Sequence, residues 1–353
     1  MPSERATSSA QRAPRSRSGA RILRVLAWAG AASAIAFALV LLAVRLVVFP
    51  QVESQRERIA AMLSAQLDRP VEIGGIAAGW DGWNPKLVLT NFRVRDRVEA
   101  SETPLLDLPE VDVTLSWTSL PLMQLRLKQL VIERPRLAVR RDRGGVLHVA
   151  GLEFDPELQS EDSPLTDWLL RQRRILVRDA LITWNDDLRN APQLVLDRVQ
   201  FRMEHLPFGR YRIGLTGTPP AELATPIDLR AELDGQSLRD WQHAAGRAYV
   251  RLDYADVAAW GEWLPLPARV DRGKGALRLW FEFAEGRVTG LTADVELADV
   301  RTRLAPSLPD LELPWLSGRM GWKDVGGERE LAFRRLAFAT AAGVRPSIRS
   351  PRL

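Results

Sequence analysis

Polar and apolar residues alternate through most of the chain after residue 70, with one regular interruption. The repeating unit is apolar-x-apolar-x-x-apolar-x-apolar, as in Leu87, Leu89, Phe92 and Val94. Alternation with a period of two predicts β-strands that have one apolar and one polar face. Further copies of the unit begin at Val71, Leu106, Leu125, Ile175, Leu194, Val295 and Leu331.

The extra residue in the middle of each unit has two interpretations. It is either a β-bulge, which bends the strand and keeps its apolar residues on one face, or a flip of the strand onto its other face. A flip would make both faces patchy, so we favour the bulge. Repeated bulges curl a sheet, and the sequence therefore predicts a curled sheet.

Helices are few after residue 70. Turn residues separate the strands, which favours a largely antiparallel arrangement, and the helical candidates are short segments at 163–173, 237–245 and 256–264. These cannot cover so many half-apolar strands. The apolar face must therefore meet a second sheet, curl on itself or contact an apolar ligand. We predict a mainly β fold, an elongated, curled antiparallel sheet that forms a groove.

A membrane anchor precedes the strands. Residues 25–44 contain no charge, and a helix of 20 residues spans about 30 Å, the thickness of the hydrocarbon core. The alternative is a cleaved signal peptide, but the run is long and no small-x-small cleavage site follows it. The predicted anchor residues are Val25, Trp28, Phe37, Leu42 and Val44. A short amphipathic helix follows at 52–67 and ends before Pro70.

The charge of the chain lies in its N-terminal tail. The 353 residues carry a net charge of +5, and residues 1–24, with six arginines and one glutamate, account for all of it. This distribution argues against a basic nucleic-acid-binding domain. It also fits the positive-inside rule, which predicts a cytoplasmic N-terminus and places the bulk of the chain across the membrane.

The sequence contains no recognisable set of catalytic residues. It has no cysteine, and its three histidines, His148, His205 and His243, are far apart. A P-loop and a nucleophile elbow are both missing from the sequence. We therefore predict neither an enzyme, nor a cofactor, nor a metal site.

Several segments resemble the AsmA-like family of Gram-negative envelope proteins, within it the YhdP branch. They are residues 71–96, 106–117, 125–152 and 169–201, and the most specific element is IERPRLAVRRDRGG at 132–145. The resemblance extends from the anchor to about residue 339. It implies an inner-membrane anchor, a taco-shaped β-groove in the periplasm and a bridge that carries phospholipid towards the outer membrane.

Two functions remain open. In the first, acyl chains slide along an apolar groove. In the second, the chain is a membrane-anchored scaffold or outer-membrane assembly factor, its groove is filled by its own side chains, and its partners are other envelope proteins. The candidate groove-lining residues are Leu87, Leu89, Phe92, Leu125, Leu127, Leu130, Ile132, Ile175, Val177, Leu194, Leu196 and Phe201.

The predicted boundaries follow from these patterns. They are a basic tail (1–24), the anchor (25–45), a linker helix (46–70), two stretches of groove (71–155 and 156–342) and an irregular tail (343–353). Because alternation stops where the resemblance ends, we expect the chain to be the N-terminal portion of a longer, truncated protein.

Overall fold

The computed structural model describes most of the chain in two compact units, Met1–Ser54 and Gln55–Leu353. The described residues are 17–67, 69–95, 106–117, 119, 126–149, 152–154, 168–235, 244–264, 269–303, 307–325, 328–340 and 343–348. The statements below concern these residues.

The first unit is helical. It consists of α1 (Arg17–Ala43), a π-helical turn (Val44–Val48), α2 (Phe49–Val52) and the first residues of a 3₁₀ turn (Glu53–Gln55). The described residues contain one helix that is long and apolar enough to cross a membrane, and Trp28 within it is 77% exposed. The helix begins at Arg17, inside the predicted tail, because each residue added to an existing helix gains one hydrogen bond.

The second unit is mainly β, as predicted. Helix α3 (Arg56–Leu67) leads into seventeen strands of one sheet, with helix α4 (Val257–Trp260) after the twelfth. The strands are β1 (Val71–Asp81), β2 (Asn84–Val94), β3 (Leu106–Leu115), β4 (Leu127–Glu133), β5 (Arg136–Arg141), β6 (Leu147–Val149), β7 (Leu152–Phe154), β8 (Arg174–Asp186), β9 (Ala191–Leu206), β10 (Arg210–Thr218), β11 (Ile227–Asp234), β12 (Ala245–Asp256), β13 (Arg269–Ala284), β14 (Arg287–Arg303), β15 (Leu311–Val325), β16 (Glu328–Thr340) and β17 (Gly343–Ile348).

The strands pair almost entirely in chain order. Strands β1 to β4 form one antiparallel run, and β8 to β17 form another. The two runs join where β4 and β5 pair with β8 in parallel, which departs from the predicted antiparallel order. The sequence motifs gave no sign of this junction because the strand pattern is the same for both directions.

Bulges bend the strands at the middle of the repeating unit. Between β8 and β9 the register shifts on both strands, and Asp179 and Arg198 adopt left-handed backbone conformations with φ of 50° and 49°. Asn91, Asp299 and Arg335 do the same in β2, β14 and β16. We call this set of left-handed residues the crease.

The crease keeps apolar residues on one face. Leu89 and Phe92, on either side of Asn91, pack against the same apolar cluster, and Leu108 and Val111 both belong to it. The apolar residues of these two units therefore share one face, which argues against the flip, whereas the register shift of a bulge is present between β8 and β9 and not along β2.

The termini of the predicted segments need two corrections. The tail predicted to be irregular at 343–353 contains β17, because backbone hydrogen bonds to β16 do not require alternating side chains. The predicted helix at 237–245 is wrong at its end, since Ala245 begins β12, while 236–243 lie outside the described residues.

The other two helical segments are shorter than predicted. In 256–264 the helix is α4, whose first turn is capped where the Ala259 N–H donates to the Asp256 carboxylate over 3.2 Å. In 163–173 residues 168–170 are helical, and 163–167 lie outside the described residues.

Candidate functional site: the two faces of the sheet

One face of the sheet carries an unbroken row of apolar side chains that runs across the strands. Each member is the register partner of the next, from β1 through β4 to β8 and on to β16, and partners in adjacent strands lie on the same face. The first row is Ile76, Leu89, Val111, Ile132, Val177, Phe201, Leu215, Leu229, Val250, Leu279, Ala293, Met320 and Phe333.

A second row lies beside the first on the same face. It is also apolar at every position, and we call the two rows together the apolar track. The second row is Ala78, Leu87, Val113, Leu130, Ile175, Met203, Ile213, Ala231, Ala248, Phe281, Leu291, Trp322 and Leu331. At about 4.8 Å per strand, twelve steps give a track about 58 Å long, measured along the sheet.

The track contains most of the predicted groove-lining residues. Leu87, Leu89, Leu130, Ile132, Ile175, Val177 and Phe201 are members of its two rows. Phe92 and Leu127 lie outside the rows but pack in the same apolar cluster. Leu194 and Leu196 lie on the far side of the crease in β9, where they pair with Trp184 and Ile182. Leu125 lies outside the described residues.

Sequence reasoning missed the part of the track on β10 to β13. Those strands carry plain alternation, as in Ile213 and Leu215 or Leu229 and Ala231, without the extra residue that defines the repeating unit. A search for period two alone would have found them. The missed residues are as apolar as the predicted ones, so the track is longer than the motif indicated.

A short turn covers the track on strands β4, β8 and β9. Trp168, Leu169 and Leu170 pack against a cluster that includes Leu130, Ile175 and Met203. Gln172 fixes this turn, because its buried amide oxygen accepts the Leu127 N–H over 2.8 Å and its amide nitrogen donates to the Trp168 carbonyl.

Exposure of the track changes along its length. Met203, under the turn, is 2% exposed, whereas Phe333 and Leu331 on β16 are 45% and 70% exposed. The track is therefore part of an ordinary core at one place and an open apolar surface at another.

The opposite face of β8 to β13 carries charges of alternating sign. Register partners Arg174, Glu204, Arg212, Glu232, Arg247 and Glu282 form one row. Guanidinium nitrogens of Arg174 and Arg202 lie 2.8 and 2.5 Å from a Glu204 oxygen, and Arg247 lies 2.6 Å from Glu232. The hydrogen bond from Arg202 lowers the pKa of Glu204 by more than burial raises it, and Arg247 lowers the pKa of Glu232.

A depression of about 1160 Å³ lies on strands β8 to β13, and its lining combines residues of this charged face with track residues such as Phe201, Leu215 and Phe281. Its polar lining includes Arg202, Arg230, Glu232, Tyr249 and Trp280. No depression between these charged rows was predicted from the sequence.

Among the residues described, no group of three or more histidine, cysteine, aspartate or glutamate side chains is arranged to hold a metal ion.

Comparison with curated proteins gave no match, and comparison with solved structures gave none either. The family described as YhdP protein matches residues 18–348, which is nearly the whole chain. The chain therefore belongs to the YhdP protein family, within the AsmA-like group of envelope proteins.

Proposed function

We propose that this protein is a membrane-anchored bridge that carries phospholipid along the apolar track, from the inner membrane towards the outer membrane. The observation that carries the proposal is the continuity of the track, in which thirteen successive register partners are apolar in each of two rows. An ordinary soluble sheet would not need such continuity across so many strands.

The physical requirement for lipid transfer matches this arrangement. Exposing a tail of about 15 methylenes to water costs roughly 12 kcal/mol, at about 0.8 kcal/mol per methylene. A lipid therefore needs an apolar surface without gaps, and the bends at the crease favour a groove that screens this surface from water. Sliding requires no bond making, so we propose no enzymatic step.

The location belongs to the same proposal. The apolar helix near the N-terminus anchors the chain, and the arginines before it favour a cytoplasmic N-terminus with the sheet in the periplasm.

A second candidate function rests on the turn at residues 168–170. Because Trp168 and its neighbours fill part of the track with the protein's own side chains, the sheet also suits a scaffold for other envelope proteins. A scaffold requires no lipid on the track, and this difference separates the two functions.

Photo-crosslinking of the full chain in its native membrane tests the proposal. A crosslinking residue is placed at Phe333 and, in a second variant, at Leu279, both on the track. The matched controls are the neighbouring Arg334 and Arg278, whose side chains lie on the other face. Lipid adducts at the track positions alone support the bridge, whereas equal or absent labelling at all four positions contradicts it and favours the scaffold.

A further inference from the structure

The depression on the charged face has an open floor. Arg202 and Arg230 are the register partners of Gly214 on either side. A Cβ atom added at Gly214 would meet no atom within 4 Å, so the space above this residue is open. Two long cationic side chains therefore lie about 10 Å apart at their backbones, one on each side of a gap.

Positive charge is in excess around this gap. Glu204 is shared by Arg174 and Arg202, and Glu232 is shared by Arg212 and Arg247. Asp228 pairs with Arg230. Arg174 lies outside the lining, which holds five arginines and four carboxylates and therefore has an excess of one positive charge. Two of these lining groups, Arg178 and Glu282, also pair with Glu133 and Lys323 outside the depression.

The two arginines beside Gly214 retain hydrogen-bond donors. Arg202 uses Nη2 for Glu204, and Arg230 uses Nε and Nη2 for Asp228. Each guanidinium has five N–H donors in a planar fork, so both have donors that these bonds do not use. Their side chains are 58% and 71% exposed, which leaves them accessible to a ligand.

Two aromatic rings form an apolar wall next to this gap. Tyr249 is the register partner of Arg230 and Trp280 is the partner of Tyr249, with ring centroids 5.2 Å apart. The guanidinium of Arg319 lies 5.3 Å from the Trp280 ring centre. An organic group next to a bound anion would contact this wall.

We propose that the depression binds a phosphate group of an organic ligand, with the phosphate above Gly214 between Arg202 and Arg230. Guanidinium forks match phosphate oxygens in bidentate geometry, and the excess positive charge favours an anion. The phosphate belongs either to a lipid headgroup or to a soluble phosphate compound. This site lies on the face opposite the apolar track and stands independently of lipid transfer along it.

The test uses the full chain in nanodiscs made only of phosphatidylcholine, titrated with inorganic phosphate and, separately, with a soluble short-chain phosphatidylglycerol. Arg202→Gln/Arg230→Gln removes the two charges, and Gly214→Leu fills the gap without changing charge. The control, Arg269→Gln/Arg272→Gln, removes two exposed arginines that pair with Asp271 and Asp299 elsewhere.

We expect both site variants to bind at least about tenfold more weakly than the wild type, with the control unchanged. If the site variants bind inorganic phosphate more weakly, the phosphate group alone is sufficient for binding. If they lose affinity only for the short-chain lipid, the ligand is a lipid headgroup. Absence of binding to either probe, or equal weakening by the control, overturns the site. Because Gly214→Leu can disturb packing, the melting temperatures of both site variants are measured. If Gly214→Leu is unfolded, the binding result of the arginine variant alone decides the outcome. Crosslinking at Leu279, a track residue that does not line the depression, reports on the track independently of these results.

Discussion

The Arg141 guanidinium lies against the carboxylate of Asp186, its register partner on the parallel strand, with 2.9 Å between Nε and Oδ1. The Asp186 side chain is fully buried, and it also accepts the Arg189 N–H over 3.2 Å. This ion pair joins β5 to the end of β8 at the β8–β9 hairpin. It therefore stabilises the parallel pairing that connects the two antiparallel runs.

Replacement of Arg141 by methionine is expected to destabilise the protein by about 3 kcal/mol, because a buried carboxylate without its partner is costly. The control is Arg140→Met, since the neighbouring pair with Asp187 is largely exposed and contributes at most about 1 kcal/mol. Denaturant unfolding of both variants in detergent measures the difference, and equal losses would contradict the role of the buried pair.

The same pair predicts a pH dependence. Burial raises the pKa of Asp186, but the hydrogen bonds from Arg141 and Arg189 outweigh it and leave the pKa below its ordinary value of 3.8. The ionised carboxylate therefore stabilises the fold above about pH 4, and this contribution is lost as the pH falls through the folded-state pKa. The stability difference between the wild type and Asp186→Asn should shrink below pH 4, and a constant difference would contradict this.

Strain at the crease predicts that one substitution is tolerated and another is not. Arg198 has φ of 49°, a conformation that costs an L-residue about 1–2 kcal/mol. We expect Arg198→Gly to leave stability unchanged or raise it by up to about 1 kcal/mol, and Arg198→Val to lower it by at least about 1 kcal/mol. Thr216→Val, at an exposed position of the neighbouring strand β10, is the control. Thermal unfolding compares the three, and a stable Arg198→Val variant would argue against strain.

A charge on the apolar track is expected to remove bound lipid. Leu279→Glu places a carboxylate on the first row, whereas Arg278→Glu places one on the other face of the same strand. Mass spectrometry of phospholipid that co-purifies with each variant should show a loss for Leu279→Glu alone, because acyl chains cannot solvate the charge. A similar lipid content in both variants would count against the bridge.

Loss of the Gln172 side chain is expected to loosen the turn over the track. In Gln172→Ala the Leu127 N–H no longer has its side-chain acceptor, which costs about 1–3 kcal/mol. Hydrogen exchange at Leu127 should therefore accelerate, while exchange at Leu252, in β12, should not change. Unchanged exchange at Leu127 would mean that other contacts hold the turn.

The sequence alone predicted the strands, the bulges and the anchor, because each of these depends on local periodicity. Asn91, Asp179 and Arg198 are polar residues at the middle of the repeating unit, and all three have left-handed backbone conformations at the bends of their strands. The parallel junction at β8 could not be predicted, since register between distant strands depends on tertiary pairing.

The charged face was beyond prediction for a related reason. Glu204 and Glu232 look like ordinary surface residues in the sequence, and only the cross-strand register brings two arginines to each of them. The gap at Gly214 likewise becomes visible only when its partners on both adjacent strands are known.

The chain-order pairing has a consequence for how the protein forms. From β8 onwards each strand pairs with the strand that precedes it in the sequence. The last strand of a partly formed sheet therefore offers its free backbone groups to the strand that follows it in the chain. Such local contacts favour rapid assembly. The sheet can therefore lengthen strand by strand as the polypeptide is synthesised. Among the described strands, only the pairing of β8 with β4 and β5 requires a partner that is distant in the chain.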